Sequence, residues 1–399
     1  MHIVYVSREY PPTKRGGGIA SYVYDMATYY ANSGHKVTVI AASDDTREES
    51  DLIENGVRVI RLSKGDFIIP TIEKTNLFKK LRCVYRFYSY RLKIRETILS
   101  LKNVDIIEVA EYGAESYYLH NINIPVVVRL HTPASLDRST FGEKKYSIRQ
   151  FYECFCASKE KQALLKSHYI TSCSTSLKQW VVKYWGIDEN IIRVIYNPIH
   201  LYEWVSETPT HFNKDSIKIL YVGTVIREKG IGDLIEACKL LCNQGIKIEL
   251  TVAGKLGQYG ENLLNETKNY GWCSFLGNVN RSDLRNIYSS HEIACFPSWW
   301  EAFGLICTEA MSCPVLTIGS INGGMSEIID DGINGFLIEP QDPQSLSKKI
   351  YDVWSMSDTE KETIRRNALK KIKETFDISN IGAQMLDYYQ FVINQFKKL

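Results

Sequence analysis

The sequence predicts an α/β protein made of βαβ units and divided into two domains. Three observations carry this. Short runs rich in β-branched residues, such as 57–62, 125–130 and 247–253, alternate with segments of helical apolar period. Glycine turns follow several of these runs, at Gly16 to Gly18, Gly223, Gly254, Gly277 and Gly323-Gly324. The chain has 399 residues, the length of two ordinary domains.

Composition narrows the function classes. A formal net charge of +2 gives no strong general attraction to nucleic acid, so no nucleic-acid partner is expected. Ten cysteines occur without a Cys-x-x-Cys pair, which reads as buried free thiols in a reducing compartment, not a disulfide framework or a zinc site. The opening Met1 to Val6 is soon followed by Arg8 and Glu9, unlike a signal peptide. No run approaches the roughly 18 apolar residues of a transmembrane helix. The expectation is a cytoplasmic protein.

In chain order, 3–6 reads as a buried strand and 10–18 as a long Pro- and Gly-rich loop. Residues 19–32 read as a helix ended by Gly34, and 36–41 as the next strand. The three glycines lie too far from strand one for a dinucleotide fingerprint, despite Asp44 and Asp45 after strand two. Gly17 and Gly18 are the candidates there, because absent side chains permit close backbone approach. A strand follows at 57–62.

Residues 74–102 are unusual. Nine lysines and arginines stand against the single acid Glu96, and Phe78, Leu81, Tyr85, Tyr88 and Leu92 recur at helical spacing. The pattern fits a helix lying on an anionic membrane. It equally fits a helix packed by its aromatic stripe with a wet basic face, and both stay open here. Strands at 104–109 and 125–130 follow. His131 stands directly after the second of these, where parallel strands deliver ligand-facing residues. A short strand begins at Ile170, and Val194 to Pro198 closes the first domain. Polar residues 201–215 read as the linker.

The second domain opens with a strand at 218–222. Its turn, Gly223-Thr224-Val225-Ile226-Arg227-Glu228-Lys229-Gly230, leads into a helix, an arrangement suited to phosphate. Strands at 247–253, 272–277 and 293–296 follow. Then Pro297 to Pro340 concentrates the chemistry. Glu301 sits in the loop before a helix at 305–311 and Glu309 lies within that helix, eight residues on. Free amides at the helix start attract a phosphate, and flanking carboxylates accept from sugar hydroxyls. A strand at 314–318, the Gly323-Gly324 turn with Glu327, and a strand at 336–338 complete the stretch. Helices are expected at 343–354, 359–375 and from Phe376 to the C-terminus.

Glu301-x7-Glu309 with Phe303-Gly304, Glu309-Ala310-Met311, Pro314-Val315, Gly323-Gly324-x2-Glu327 and Asn334-Gly335 resembles the signature of family 4 glycosyltransferases, the retaining group 1 enzymes. The resemblance implies a GT-B fold: two Rossmann-like, doubly wound domains facing a central cleft. Residues 1–200 form the acceptor domain, with a C-terminal helix at about 380–399 crossing back, and 201–380 form the nucleotide-sugar domain. It implies that Glu301 contacts the donor sugar and Glu309 the ribose. Phe303, Gly304 and Leu305 line the diphosphate, Asn278-Val279 cups the base, and Gly17-Gly18 approaches the phosphates. His131 faces the donor sugar, and His131, Glu301 and Lys229 form the catalytic set. The family places Arg directly after Gly223 and Lys five residues later. Lys229 matches, but Thr224 holds the arginine position, leaving Arg227 as the nearest substitute.

The implied activity is hexosyl transfer from a UDP- or GDP-linked sugar to a sugar or lipid-linked acceptor, in polysaccharide, lipopolysaccharide or glycolipid synthesis. No cofactor is implied beyond that donor. No two aspartates stand two residues apart, so the Asp-x-Asp metal motif is missing and metal-independent transfer is expected. Peripheral contact with the inner membrane face through 74–102 is part of this reading. The alternative is a non-catalytic or epimerase-type nucleotide-sugar protein of the same fold.

Overall fold

A computed structural model describes residues 1–13, 16–44, 48–63, 76–136, 148–205 and 215–398. Lys14, Arg15, Asp45, Lys74, His211 and the linker residues 206–214 lie outside the described residues. The chain divides into two compact units, Met1–Pro198 with Ile378–Leu399, and Ile199–Asp377.

The first unit is built on eight strands: β1 (His2–Val6), β2 (Lys36–Ala42), β3 (Ser50–Glu54), β4 (Val57–Leu62), β5 (Ile106–Ala110), β6 (Val126–Leu130), β7 (Ile170–Ser172) and β8 (Ile192–Val194). Their order is β3-β4-β2-β1-β5-β6-β7-β8. All pairs are parallel except β3 on β4. Strands β1 and β5 are buried throughout, as an apolar run covered on both faces must be. Strand β3 was not expected from sequence. It is a largely exposed edge carrying Asp51 and Glu54, which pair with Arg58 and Arg61 of β4.

The closing helix Ile378–Phe396 belongs to this unit. Gly382 lets it lie against the Gly18–Asn32 helix: an added Cβ would stand 2.4 Å from the Tyr29 ring. The Tyr30 hydroxyl donates to the Gly382 carbonyl at 2.7 Å. Beneath, the Tyr389 hydroxyl donates to the buried Glu108 carboxylate at 2.6 Å.

The second unit holds six strands: β9 (Ile217–Val222), β10 (Ile248–Ala253), β11 (Cys273–Gly277), β12 (Ile293–Phe296), β13 (Leu316–Ser320) and β14 (Phe336–Ile338). Their order is β11-β10-β9-β12-β13-β14, parallel throughout. Strand β13 begins two residues later than sequence suggests. Pro314 has no N–H to give, and the first ladder bond runs from Leu316 N to Glu292 O at 2.9 Å. Both sheets have the parallel α/β order of Rossmann-like domains.

Candidate active site

In the second unit every expected donor residue lies on a segment leaving the carboxyl end of a strand or on the helix that follows it. This is the end at which open parallel sheets present ligand groups. Strand β9 delivers Arg227 and Lys229, β11 delivers Val279, and β12 delivers Glu301, Phe303, Gly304 and the helix Leu305–Met311.

Glycines let these loops touch. An added Cβ on Gly230 would stand 1.9 Å from the Pro297 carbonyl oxygen, so the two loops meet backbone to backbone only because Gly230 has no side chain. Gly323, at φ +90°, is equally tight: its Cβ would lie 2.1 Å from the Glu301 carbonyl oxygen. Gly324 N–H donates to that oxygen at 2.8 Å, and Glu301 and Gly323 form a parallel bridge. The Gly323-Gly324 turn thus fixes the main chain of Glu301.

The Glu301 side chain is fixed too. Its Oε1 accepts from the Lys229 ammonium and, at 3.0 Å, from the Ser298 hydroxyl. Trp299, which sequence reading passed over, ties the same two loops together. Its backbone N–H donates to Glu228 O at 2.9 Å, and its indole N–H donates to Asp233 at 3.0 Å. The Arg227 guanidinium lies 5.7 Å from the centre of its ring. Burial pushes the Asp233 carboxyl up, and the Trp299 hydrogen bond and Arg227 charge partly offset this. At Thr224, the family's arginine position, the Tyr221 hydroxyl donates to the backbone carbonyl at 3.1 Å. Burial and then the Glu301 charge push the Tyr221 phenol well up.

Phe303 is an anchor. Its ring is buried and meets Phe376 edge-on, with centroids 5.8 Å apart. Gly304 at φ +106° begins the seven-residue helix that carries Glu309. Glu309 is half-buried beside Tyr288, whose phenol is pushed well up by burial and then by the Glu309 charge. Val279 is half-buried in the turn after β11.

In the first unit, Gly17 and Gly18 are exposed and begin the helix Gly18–Asn32. His131 is buried at the end of β6, with its ring edge-on to Tyr22 of that helix at 4.9 Å. Burial and the neighbouring Arg129 charge hold its imidazole well below the usual range, hence neutral. Its backbone is held by Glu111, which accepts from His131 N at 2.8 Å and Thr132 N at 2.6 Å. Glu160, from the helix Ile148–Leu164, accepts from Gly113 N at 2.6 Å and Ala134 N at 2.9 Å. Two buried carboxylates therefore clamp the loop after His131. Burial and the Glu160 charge push Glu111 up to about 8. Burial pushes Glu160 up to about 6, restrained by the Gly113 and Ala134 amides and by Arg8 and Arg91. Glu111 follows a strand end just as His131 does, so the same rule points to it. Glu160 lies mid-helix and gives no such sign.

Among the described residues, no group of three or more His, Cys, Asp or Glu side chains is placed to hold a metal ion.

Two family models match. Glycosyltransferase family 4 covers residues 16–203, and glycosyl transferases group 1 covers residues 204–371. An uncharacterised glycosyltransferase of Methanocaldococcus jannaschii is 26% identical over 98% of this chain and 99% of its own. The glycogen synthase of Mycobacterium tuberculosis is 24% identical over 98% and 94%. A capsular polysaccharide biosynthesis glycosyltransferase of Staphylococcus aureus is 25% identical over 67% and 71%. In fold, the sucrose-phosphate synthase of Thermosynechococcus elongatus superposes with a TM-score of 0.78 over 99% of both chains at 21% identity. HepE of Anabaena, solved with UDP-glucose, gives 0.73 over 98% and 99% at 18% identity. The strand-end loops, their paired Lys229 and Glu301 and these likenesses converge: the chain belongs to the group 1, family 4 glycosyltransferases, sugar-transferring enzymes of GT-B fold.

Proposed function

We propose that this glycosyltransferase moves a hexose from a UDP- or GDP-linked sugar to an acceptor with retention of anomeric configuration, in polysaccharide, lipopolysaccharide or glycolipid synthesis. The observation that carries the reading is the Lys229–Glu301 pair on two glycine-joined strand-end loops, one turn before the helix of Glu309. As the diphosphate leaves, charge grows on its oxygens, and a fixed cation stabilises that charge. Lys229 supplies the cation, with Arg227 behind it on Trp299. Glu301 accepts from donor-sugar hydroxyls, Glu309 from the ribose, and the Gly304-Leu305 amides face the phosphates. Phe303 holds that loop from beneath, and the Val279 turn receives the base. His131, buried and neutral, offers a ring nitrogen to the sugar without adding a competing charge. Gly17 and Gly18 leave room for the phosphates.

The acceptor is a sugar or a lipid-linked sugar. The enzyme works in the cytoplasm, in peripheral contact with the inner face of an anionic membrane through residues 74–102. No helix among the described residues is long and apolar enough to cross a membrane. UDP and UDP-glucose complexes of HepE support the donor class. A panel of nucleotide sugars incubated without acceptor tests the donor: slow release of UDP or GDP from one member identifies base and sugar together. Release from none of them, with no nucleotide binding, contradicts the reading.

A further inference from the structure

The Leu77–Ser100 helix packs by an unexpected face. Phe87, Tyr90, Arg91, Ile94 and Ile98 are the residues it buries. Arg91 is fully buried, its guanidinium 3.7 Å from the Phe87 ring centre and donating to the Gly113 and Phe87 carbonyls. Lys93 pairs with Glu49, and Arg95 donates to Tyr118 O at 2.7 Å. The C-terminal half of the basic run is therefore engaged in holding the helix. The N-terminal part of the aromatic stripe does not pack: Leu77 and Phe78 are 74% exposed, Leu81 59% and Tyr85 73%, whereas Tyr88 is half-buried against Phe87, Tyr117 and Phe155. At these spacings the four share one side of the helix.

Beside this ridge lies an open groove of 670 Å³ lined by Arg82, Arg86, Ser63, Ser89 and Lys93, with Glu96 as its lining acid and Tyr85 at its lip. Lys93 is offset by Glu49. Arg82 and Arg86 meet no carboxylate among the described residues. Two like charges four apart repel in an isolated helix, and they become favourable when an anion sits between them. A guanidinium fork suits phosphate. An exposed apolar ridge next to a phosphate seat matches a phospholipid: the ridge needs an apolar medium and the arginines need an anion.

We infer that the N-terminal half of this helix is a two-part bilayer contact. Leu77, Phe78, Leu81 and Tyr85 enter the acyl boundary while Arg82 and Arg86 seat an anionic lipid phosphate in the adjoining groove. This rests on the reading of 74–102 as a membrane contact, and narrows it from nine basic residues to two arginines and four apolar side chains. A soluble phosphate would use the groove but not the ridge.

The test is co-sedimentation of the full chain with phosphatidylcholine vesicles, with and without phosphatidylglycerol, beside titration of the same proteins with inorganic pyrophosphate and with UDP or GDP. The wild type should bind only the anionic vesicles and release as salt rises. Arg82→Gln with Arg86→Gln should weaken vesicle binding about thirtyfold, since each surface cation near a bilayer contributes roughly fivefold. Phe78→Ser with Leu81→Ser should also weaken vesicle binding, with release at a lower salt concentration than wild type. All variants should keep wild-type nucleotide affinity, which shows that they fold and separates this proposal from the donor assignment. Wild type that binds nucleotide but ignores anionic vesicles at low salt overturns it. So does vesicle binding unchanged in both double variants. Pyrophosphate binding that needs Arg82 and Arg86 without vesicle binding overturns it in favour of a free phosphate ligand.

Discussion

Lys229 and Glu301, 72 residues apart, form an ion pair across two loops of the second unit, with Ser298 donating to the same carboxylate oxygen. The pair stores a cation beside a carboxylate before any donor arrives. Each side chain is thereby held in position, which spares the ordering cost at the moment of binding.

Lys229→Ala should therefore do two things. Transfer and acceptor-free donor hydrolysis should fall about 10²–10³-fold, the usual loss when one fixed charge-stabilising donor is removed. Thermal stability should change little, since the pair is partly exposed at 31% and 14%. Steady-state kinetics and a melting curve check both. A variant with full kcat would remove Lys229 from the diphosphate.

Gly323→Ala tests how Glu301 is placed. The methyl group would meet the Glu301 carbonyl oxygen at 2.1 Å, at a φ of +90°. Backbone strain alone costs about 1–3 kcal/mol, and the clash must push the Glu301 loop away. Transfer should be lost. Gly332→Ala is the control: its φ is +74° but nothing lies within 4 Å of the added Cβ, so it should show the strain and keep activity.

Much of the second unit is legible in the sequence because its signals are local. The helix Leu305–Met311 and strand Phe336–Ile338 fall where periodicity and turns put them. The strand-end rule singles out His131 as a candidate, and the glycine turn before a helix and the carboxylate before a helix start single out Lys229 and Glu301, all without any structure. Partnerships across the chain are not legible. Glu160 is a buried acid in the middle of a helix, and its reason is the Gly113 and Ala134 amides, which no spacing relates to it. Trp299 reads as one more aromatic until its indole meets Asp233. In the Leu77–Ser100 helix periodicity finds two faces but not which is inward. Residue type suggests burying Phe78 and exposing Arg91, and the tertiary contact of Arg91 with the Gly113 carbonyl reverses this.

The carboxylate clamp behind His131 makes a pH prediction. Glu111 is raised to about 8 from a free value of 4.5, so between those values the unfolded chain gives up a proton that the folded chain keeps. Its contribution is fully present below about 4.5 and is lost as pH rises through about 8. The charged group facing it is Glu160, which in turn faces Arg8 and Arg91, and the His131 and Thr132 amides donate to Glu111. His131 has the opposite sign: its lowered value costs stability as pH falls below 6.5. Glu111→Gln should therefore gain on wild type in melting temperature as pH climbs from 6 to 8, by an amount a pH series of thermal melts reads directly. A difference that is constant across that range would mean the pair does not hold a proton.

The missing Asp-x-Asp motif predicts transfer without a divalent cation, with Lys229 and helix amides carrying the leaving-group charge. Activity should persist in excess chelator. Complete loss that magnesium or manganese restores would overturn this.

The division of labour between the two motif carboxylates is most directly tested by nucleoside diphosphate affinity, measured calorimetrically on wild type, Glu301→Ala and Glu309→Ala. Glu309 is assigned the ribose, so its removal should weaken UDP or GDP, by about tenfold for one lost hydrogen bond to a charged acceptor. Glu301 is assigned the transferred sugar, which the free diphosphate lacks. Its removal should leave that affinity near wild type while transfer collapses. Equal affinity in all three proteins, or a loss confined to Glu301→Ala, would contradict the assignment.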